Sequence, residues 1–191
     1  MSLAKSGALQ LVALGANLSS EGDSLEVTVQ AAIRALAEAG FAIRAVSRFF
    51  RTPCFPAGAG PDYVNAAVTL QSSMEPDAIL QKLHSIEADF GRERVQRWGQ
   101  RTLDLDLIGS GDLVLPSLSE FERWFRLDPS LQAQAAPDAL VLPHPRLQDR
   151  AFVLAPLADI AADWVHPVLK KSVRQMLAEL PKGEIDQVVP I

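Results

Sequence analysis

Arg97-Trp98-Gly99-Gln100-Arg101-Thr102-Leu103-Asp104-Leu105-Asp106-Leu107-Ile108 passes from a polar, arginine-bearing stretch into an alternation of acid and leucine. That alternation has the period of a β-strand. Residues i and i+2 of a strand share a face, so Asp104 and Asp106 point one way while the leucines face a core. Their Cα atoms lie about 7 Å apart at about 3.3 Å rise per residue. Like charges held that close repel unless a cation sits between them. Hard carboxylate oxygens suit Mg²⁺, which completes its shell with water and substrate phosphates. Arg92, Arg94, Arg97 and Arg101 precede the pair, and arginine grips phosphate bidentately. Each feature alone also reads as a solvated strand edge or a solvated loop. Together they point to phosphoryl or pyrophosphoryl transfer.

Outward from this strand (residues 102–108), the chain alternates helical and extended periods. Residues 76–90 place Ile79, Leu80, Leu83, Ile86 and Phe90 on one helical face, with Pro76 in the first turn. Residues 63–71 alternate as a strand, 52–61 hold three prolines and two glycines as a constrained loop, and 41–50 read as one strand. Residues 24–39 have a helical period stopped by Gly40, and 9–14 form a short buried strand. The order β-α-β-β-α-β predicts an α+β, ferredoxin-like core, an antiparallel sheet with helices packed on it. Helices over 151–162 and 172–180 follow. Residues 1–7 read as a disordered start, and 1–191 as a single domain. A fold of this kind does not name a function.

At 191 residues the chain is long enough for a sizeable core. Its net charge of −5 argues against a nucleic-acid binder and makes the local arginines a match for a small anion. Cys54 is the single cysteine, so an intrachain disulfide is excluded. No apolar run is long enough to span a membrane. The expectation is a soluble, cytoplasmic monomer without nucleic-acid or membrane partners. There is no P-loop, G-x-G-x-x-G or H-E-x-x-H.

Arg97-Trp98-Gly99-x-Arg101-Thr102-Leu103-Asp104-Leu105-Asp106-Leu107 resembles the signature of the 6-hydroxymethyl-7,8-dihydropterin pyrophosphokinase family of folate biosynthesis. Leu14-Gly15-Ala16-Asn17-Leu18, Ser47-Arg48-Phe49-Phe50-Arg51-Thr52-Pro53 and Pro61-Asp62-Tyr63-Val64-Asn65-Ala66-Ala67 agree in order. So do Ile86-Glu87, Gly91-Arg92, Pro143-His144-Pro145 and Arg150-Ala151-Phe152. The resemblance covers roughly residues 9–167. It implies transfer of pyrophosphate from ATP to the hydroxymethyl group of the dihydropterin, leaving AMP. It implies two Mg²⁺ ions on Asp104 and Asp106, with Arg92 and Arg101 neutralising the migrating group. It places ATP near Glu87, Arg92, Arg97, Trp98, Arg101, Leu107, His144 and Arg150. The pterin falls to Thr52, Pro53, Phe55, Tyr63, Asn65 and Phe152, with Tyr63 and Phe152 as two slices of a sandwich. Arg97, Trp98 and Gln100 belong by resemblance to a mobile lid over 91–100.

Without the resemblance, Tyr63 and Phe152 read equally as core, Glu87 as a surface helix residue and His144 as a turn residue. Three departures stand out. Val95-Gln96 replace an expected basic residue in a loop one residue shorter than the family's, Cys54 stands where the family often has proline, and 116–139 reads as an insertion. Within that insertion Ser117-Leu118-Ser119-Glu120 fits a capping box. Leu118, Phe121, Trp124 and Phe125 predict an amphipathic helix near 117–127, packed on its own domain, over the nucleotide rim, or in a dimer contact. Two rival functions remain: a non-catalytic ferredoxin-like small-molecule-binding module, and a DxD glycosyltransferase or nuclease-like phosphotransferase.

Overall fold

The computed structural model describes residues 7–18, 24–54, 60–91, 102–128, 131 and 136–191. Strands β1 (Ala8–Ala16), β2 (Ala42–Val46), β3 (Phe50–Thr52), β4 (Tyr63–Ser72) and β5 (Asp104–Ser110) interleave with helices α1 (Leu25–Glu38) and α2 (Pro76–Asp89). Helices α3 (Leu118–Phe125), α4 (Ala151–Ala161), α5 (Val173–Glu179) and α6 (Lys182–Ile185) follow, and β6 (Val189–Pro190) comes last. The sheet runs β5-β1-β4-β3-β6, with β2 also on β4, and every pairing is antiparallel. This is the predicted α+β arrangement.

Side chains alternate along the strands between two cores, one on each face of the sheet. Val12, Leu14, Val64, Ala66, Val68, Leu103, Leu105 and Leu107 pack with Val29, Ala32 and Leu36 of α1 and Ile79, Leu83 and Ile86 of α2. On the other face Leu11, Ala67 and Ile108 meet Val153, Leu154 and Leu157 of α4 and Val173 and Met176 of α5. Local chemistry sets the helix ends. Ser24 caps α1, and Gly40, at φ 89°, ends it with Gly40 N–H donating to Ala37 O and Phe41 N–H to Leu36 O. That is the Schellman pattern that a glycine at this position permits. Pro76 opens α2, where its missing N–H costs nothing.

The single strand expected over 41–50 is in fact two. Ser47 interrupts it: Ser47 N–H donates to Ala67 O at 2.9 Å, and Ser47 Oγ accepts from Ala67 N–H at 2.9 Å. Arg48 then turns its backbone N–H and its guanidinium to Asp159 of α4. The fourth core strand starts at Asp104, two residues later than expected, and runs to Ser110. The short β6, which closes the β3 edge, carries no sequence signal at two residues.

The 116–139 excursion leaves and re-enters through a Leu115–Leu142 bridge. α3 buries Phe121 and Trp124 against Val141, with Val114, Phe125, Leu127 and Val168 around them, so it packs on its own chain. Leu118, expected on that apolar face, sits in the first turn outside the cluster and is exposed. Ser117 Oγ accepts from Glu120 N–H, but the Glu120 carboxylate turns to Arg123 and Trp124 instead of back to Ser117. Only half of the expected capping box forms.

Candidate active site

β5, β1, β4 and β3 bring Asp104, Asp106, Asn65, Tyr63 and Thr52 onto one face of the sheet. Gly15 is paired with Asp104 on one side and with Asn65 on the other. Ala13 is likewise paired with Asp106 and Ala67. Asp104, Gly15 and Asn65 therefore form a row across three strands, about 10 Å long at about 4.8 Å per strand. Tyr63 is two residues from Asn65 on the same face and opposite Thr52 of β3. The middle of the row is low because it is made of glycine and alanine. A Cβ on Gly15 would lie 3.1 Å from Asn65 Oδ1 and 3.9 Å from Tyr63 Cδ1. Gly15, quoted only within the Leu14–Leu18 motif and outside the strand expected over 9–14, was not named as a site residue; in the structure it lies in β1, where a glycine permits such a close approach.

Asn65 is buried and its Nδ2 donates to Thr52 Oγ1 at 2.8 Å. Pro53 is exposed beside them. Cys54 is buried, and its thiol donates to Gly60 O and accepts from Gly60 N–H, bridging 54 to 60. That clasp was not legible in the sequence.

Asp104 and Asp106 are both partly exposed, between buried Leu103, Leu105 and Leu107. The pair fits a divalent cation: hard oxygens on one face, two protein carboxylates, and partial exposure that leaves the remaining ligands to solvent and substrate. Among the described residues no third acidic, histidine or cysteine ligand joins them.

Arg150 precedes α4 and lies near both aspartates. Burial pushes its pKa down, while the fields of Asp106 and Asp104 oppose that shift. Its guanidinium stands 5.7 Å over the Phe152 ring, and Phe152 is 40% exposed. His144 is tied to β5 through its N–H to Ile108 O at 2.8 Å. Burial, then Arg150 and Arg146, lower its pKa to about 3, with Asp104 pulling the other way. The ring is therefore neutral. Its Nδ1 accepts from Arg146 N–H, so the proton sits on Nε2. Arg146, paired with Asp149 and with its side chain 26% exposed, is a cation beside the site that the sequence reading did not single out.

Two expected residues stand differently from a surface contact. Leu107 buries its side chain on the opposite face. Glu87 is 1% exposed, and its Oε1 accepts from Leu105 N–H at 2.7 Å. Phe55, Arg92, Arg97, Trp98 and Arg101 lie outside the described residues, as does nearly all of the expected lid over 91–100.

Residues 11–162, which hold this face and the DxD strand, match the 7,8-dihydro-6-hydroxymethylpterin-pyrophosphokinase (HPPK) family. The chain belongs to the HPPK family. It is 39% identical to a Synechocystis 2-amino-4-hydroxy-6-hydroxymethyldihydropteridine pyrophosphokinase over 181 residues, 94% of this chain and 80% of that protein. A Methylorubrum extorquens protein of the same name is 34% identical over 175 residues, 92% and 95% of the two chains. The wild-type HPPK-DHPS of Plasmodium falciparum shares the fold, with a TM-score of 0.61 at 13% identity over 90% of this chain and 44% of that longer one. HPPK membership disfavours the non-catalytic binding module. Among the described residues no helix is long and apolar enough to cross a membrane.

Proposed function

We propose that the Asp104–Asp106 strip and the Thr52–Tyr63–Asn65 strip are the two halves of one active site. The reaction is that of the family: pyrophosphate passes from ATP to the 6-hydroxymethyl group of 7,8-dihydropterin, a step of folate biosynthesis. The acceptor hydroxyl loses its proton to solvent as its oxygen bonds the β-phosphorus, the bond from that phosphorus to the α,β-bridging oxygen breaks, and AMP leaves with that oxygen and the electron pair. The observation that carries this reading is the row Asp104–Gly15–Asn65. It separates the carboxylate pair from the Asn65–Tyr63 strip by two strand spacings on one face.

Each side of the row has its own task. Tyr63 and Phe152 stack on the flat pterin, a contact worth on the order of 1 kcal/mol beyond area burial. Asn65, oriented by Thr52, reads the pterin edge, and Pro53 and Phe55 complete that wall. Asp104 and Asp106 hold Mg²⁺, two ions in our reading, which when bound screen the triphosphate and acidify the acceptor hydroxyl. Arg150 and the Nε2–H of neutral His144 serve the phosphates, and the family resemblance assigns Arg92 and Arg101 to the same task. By the family resemblance, Arg97 and Trp98 serve the nucleotide side, with the 91–100 segment as a lid; Leu107 packs on the other face of β5, and Glu87 supports that strand through Leu105 N–H. Rate enhancement then comes chiefly from positioning and charge stabilisation. We read the chain as one domain, acting as a cytoplasmic monomer.

Incubation with ATP, Mg²⁺ and 6-hydroxymethyl-7,8-dihydropterin tests the proposal. AMP and the pterin diphosphate should appear one to one. ADP would mark an ordinary kinase, and no nucleotide turnover would favour a binding module.

A further inference from the structure

β5 carries both aspartates, and among the described residues it pairs with β1 alone. Among the described residues, no strand takes up the backbone groups on its outer edge. Leu105 lies between the two aspartates, and its N–H leaves the sheet to donate to Glu87 Oε1 at 2.7 Å. Glu87 follows Ile86 on α2, whose apolar face shares a core with Leu103, Leu105 and Leu107. At 1% exposure, a carboxylate is costly unless its oxygens are hydrogen-bonded. An apolar residue at 87 would satisfy the packing of α2 and leave Leu105 N–H unpaired. One oxygen of the acid, Oε1, is thus engaged by the strand it holds. Charge-assisted bonds of this kind are short and strong.

We infer that Glu87 is a positioning residue for the divalent cation. It clips the Leu105 peptide and so sets the separation and direction of Asp104 and Asp106, which repel one another until a cation is bound. This rests on reading the aspartate pair as the cation site. It gives Glu87 a role exerted through β5, in place of the nucleotide contact that resemblance implies.

Three measurements on the full chain test it. Mn²⁺ binding to the complex with α,β-methylene-ATP is followed by electron paramagnetic resonance. Binding of that analogue alone, in chelator, is followed by calorimetry. Exchange of the Leu105 amide is followed by NMR. Glu87→Leu should weaken Mn²⁺ binding about tenfold, the low end of what outer-shell partners contribute. It should speed Leu105 exchange and leave metal-free nucleotide affinity unchanged. Glu87→Gln keeps an oxygen acceptor and should stay close to the parent in all three. The inference is overturned if Gln loses as much Mn²⁺ affinity as Leu, if metal-free nucleotide binding falls in either variant, or if Mn²⁺ binding in the Leu variant is unchanged. Should Glu87→Leu not fold, the Gln variant and the parent decide: weakened Mn²⁺ binding in Gln, or a fast Leu105 amide in the parent, overturns it. A parent that makes no AMP sinks the proposed reaction, whereas the Mn²⁺ and exchange data still answer for Glu87.

Discussion

Asn65 donates its side-chain amide to the Thr52 hydroxyl across the β4–β3 ladder, at 2.8 Å and away from water. This bond decides which way the amide faces, and therefore which hydrogen bonds Asn65 has left for a ligand. Thr52→Val keeps the shape and removes the acceptor. An unpaired buried donor costs about 1–3 kcal/mol. We expect the pterin to bind about tenfold more weakly, with ATP binding unchanged. Calorimetric titration of each ligand checks this, and an equal loss for both would remove Asn65 from the pterin slot.

Gly15 is the floor under Asn65 and Tyr63. A methyl there would sit 3.1 Å from Asn65 Oδ1, closer than nearly all real contacts. Gly15→Ala should displace the amide and raise the pterin KM several-fold, and Gly15→Val should raise it further, with little change in the ATP KM. A pterin KM that ignores both substitutions would show that the slot lies elsewhere.

Asp104→Asn and Asp106→Asn should each keep the fold and lose nearly all turnover. The side chains lie partly exposed on the site face, so the core loses no apolar contact, whereas the cation loses a charged ligand. Bound metals of this type contribute several kcal/mol of charge stabilisation. Circular dichroism and melting temperature test the first half. Near-normal AMP formation in either variant would falsify the metal-binding role.

The pH dependence of stability has a definite sign. His144 and His166 have folded pKa values of about 3 and about 4, both below the ordinary 6.5, with burial the first cause in each. The unfolded chain therefore takes up these protons first as pH falls. Their contribution is fully present above about 6.5 and is lost progressively as pH drops through 6 and 5 toward the folded values. His166 is completely buried, its Nδ1 accepts from Val168 and Leu169 N–H, and its ring packs on Phe121 and Trp164. His166→Asn keeps an acceptor without the titration. Its melting temperature should fall less between pH 7 and pH 5 than that of the parent. An equal fall would assign the acid sensitivity to other groups.

Much of this protein is legible from short-range pattern. The leucine–aspartate alternation set β5 and the shared face of its acids, since side chains two apart on a strand must point together. Helical periods and single residues at the ends, Ser24, Gly40, Pro76 and Ser172, set the helices, because capping is decided within a few positions. The β-α-β-β-α-β order then left few arrangements of the sheet.

Tertiary structure alone decided the rest, where the partner is far away in sequence. The strand expected over 41–50 breaks where Ser47 bonds Ala67, 20 positions on, and Arg48 finds Asp159, 111 positions on. Glu87 looked like one more helix acid until Leu105, 18 residues later, was seen to need its oxygen. Gly15 became a floor only when register set it between Asp104 and Asn65. Periodicity reports which way a side chain points. It carries no information on which distant group will lie opposite, because that depends on register and packing, which the whole chain settles together.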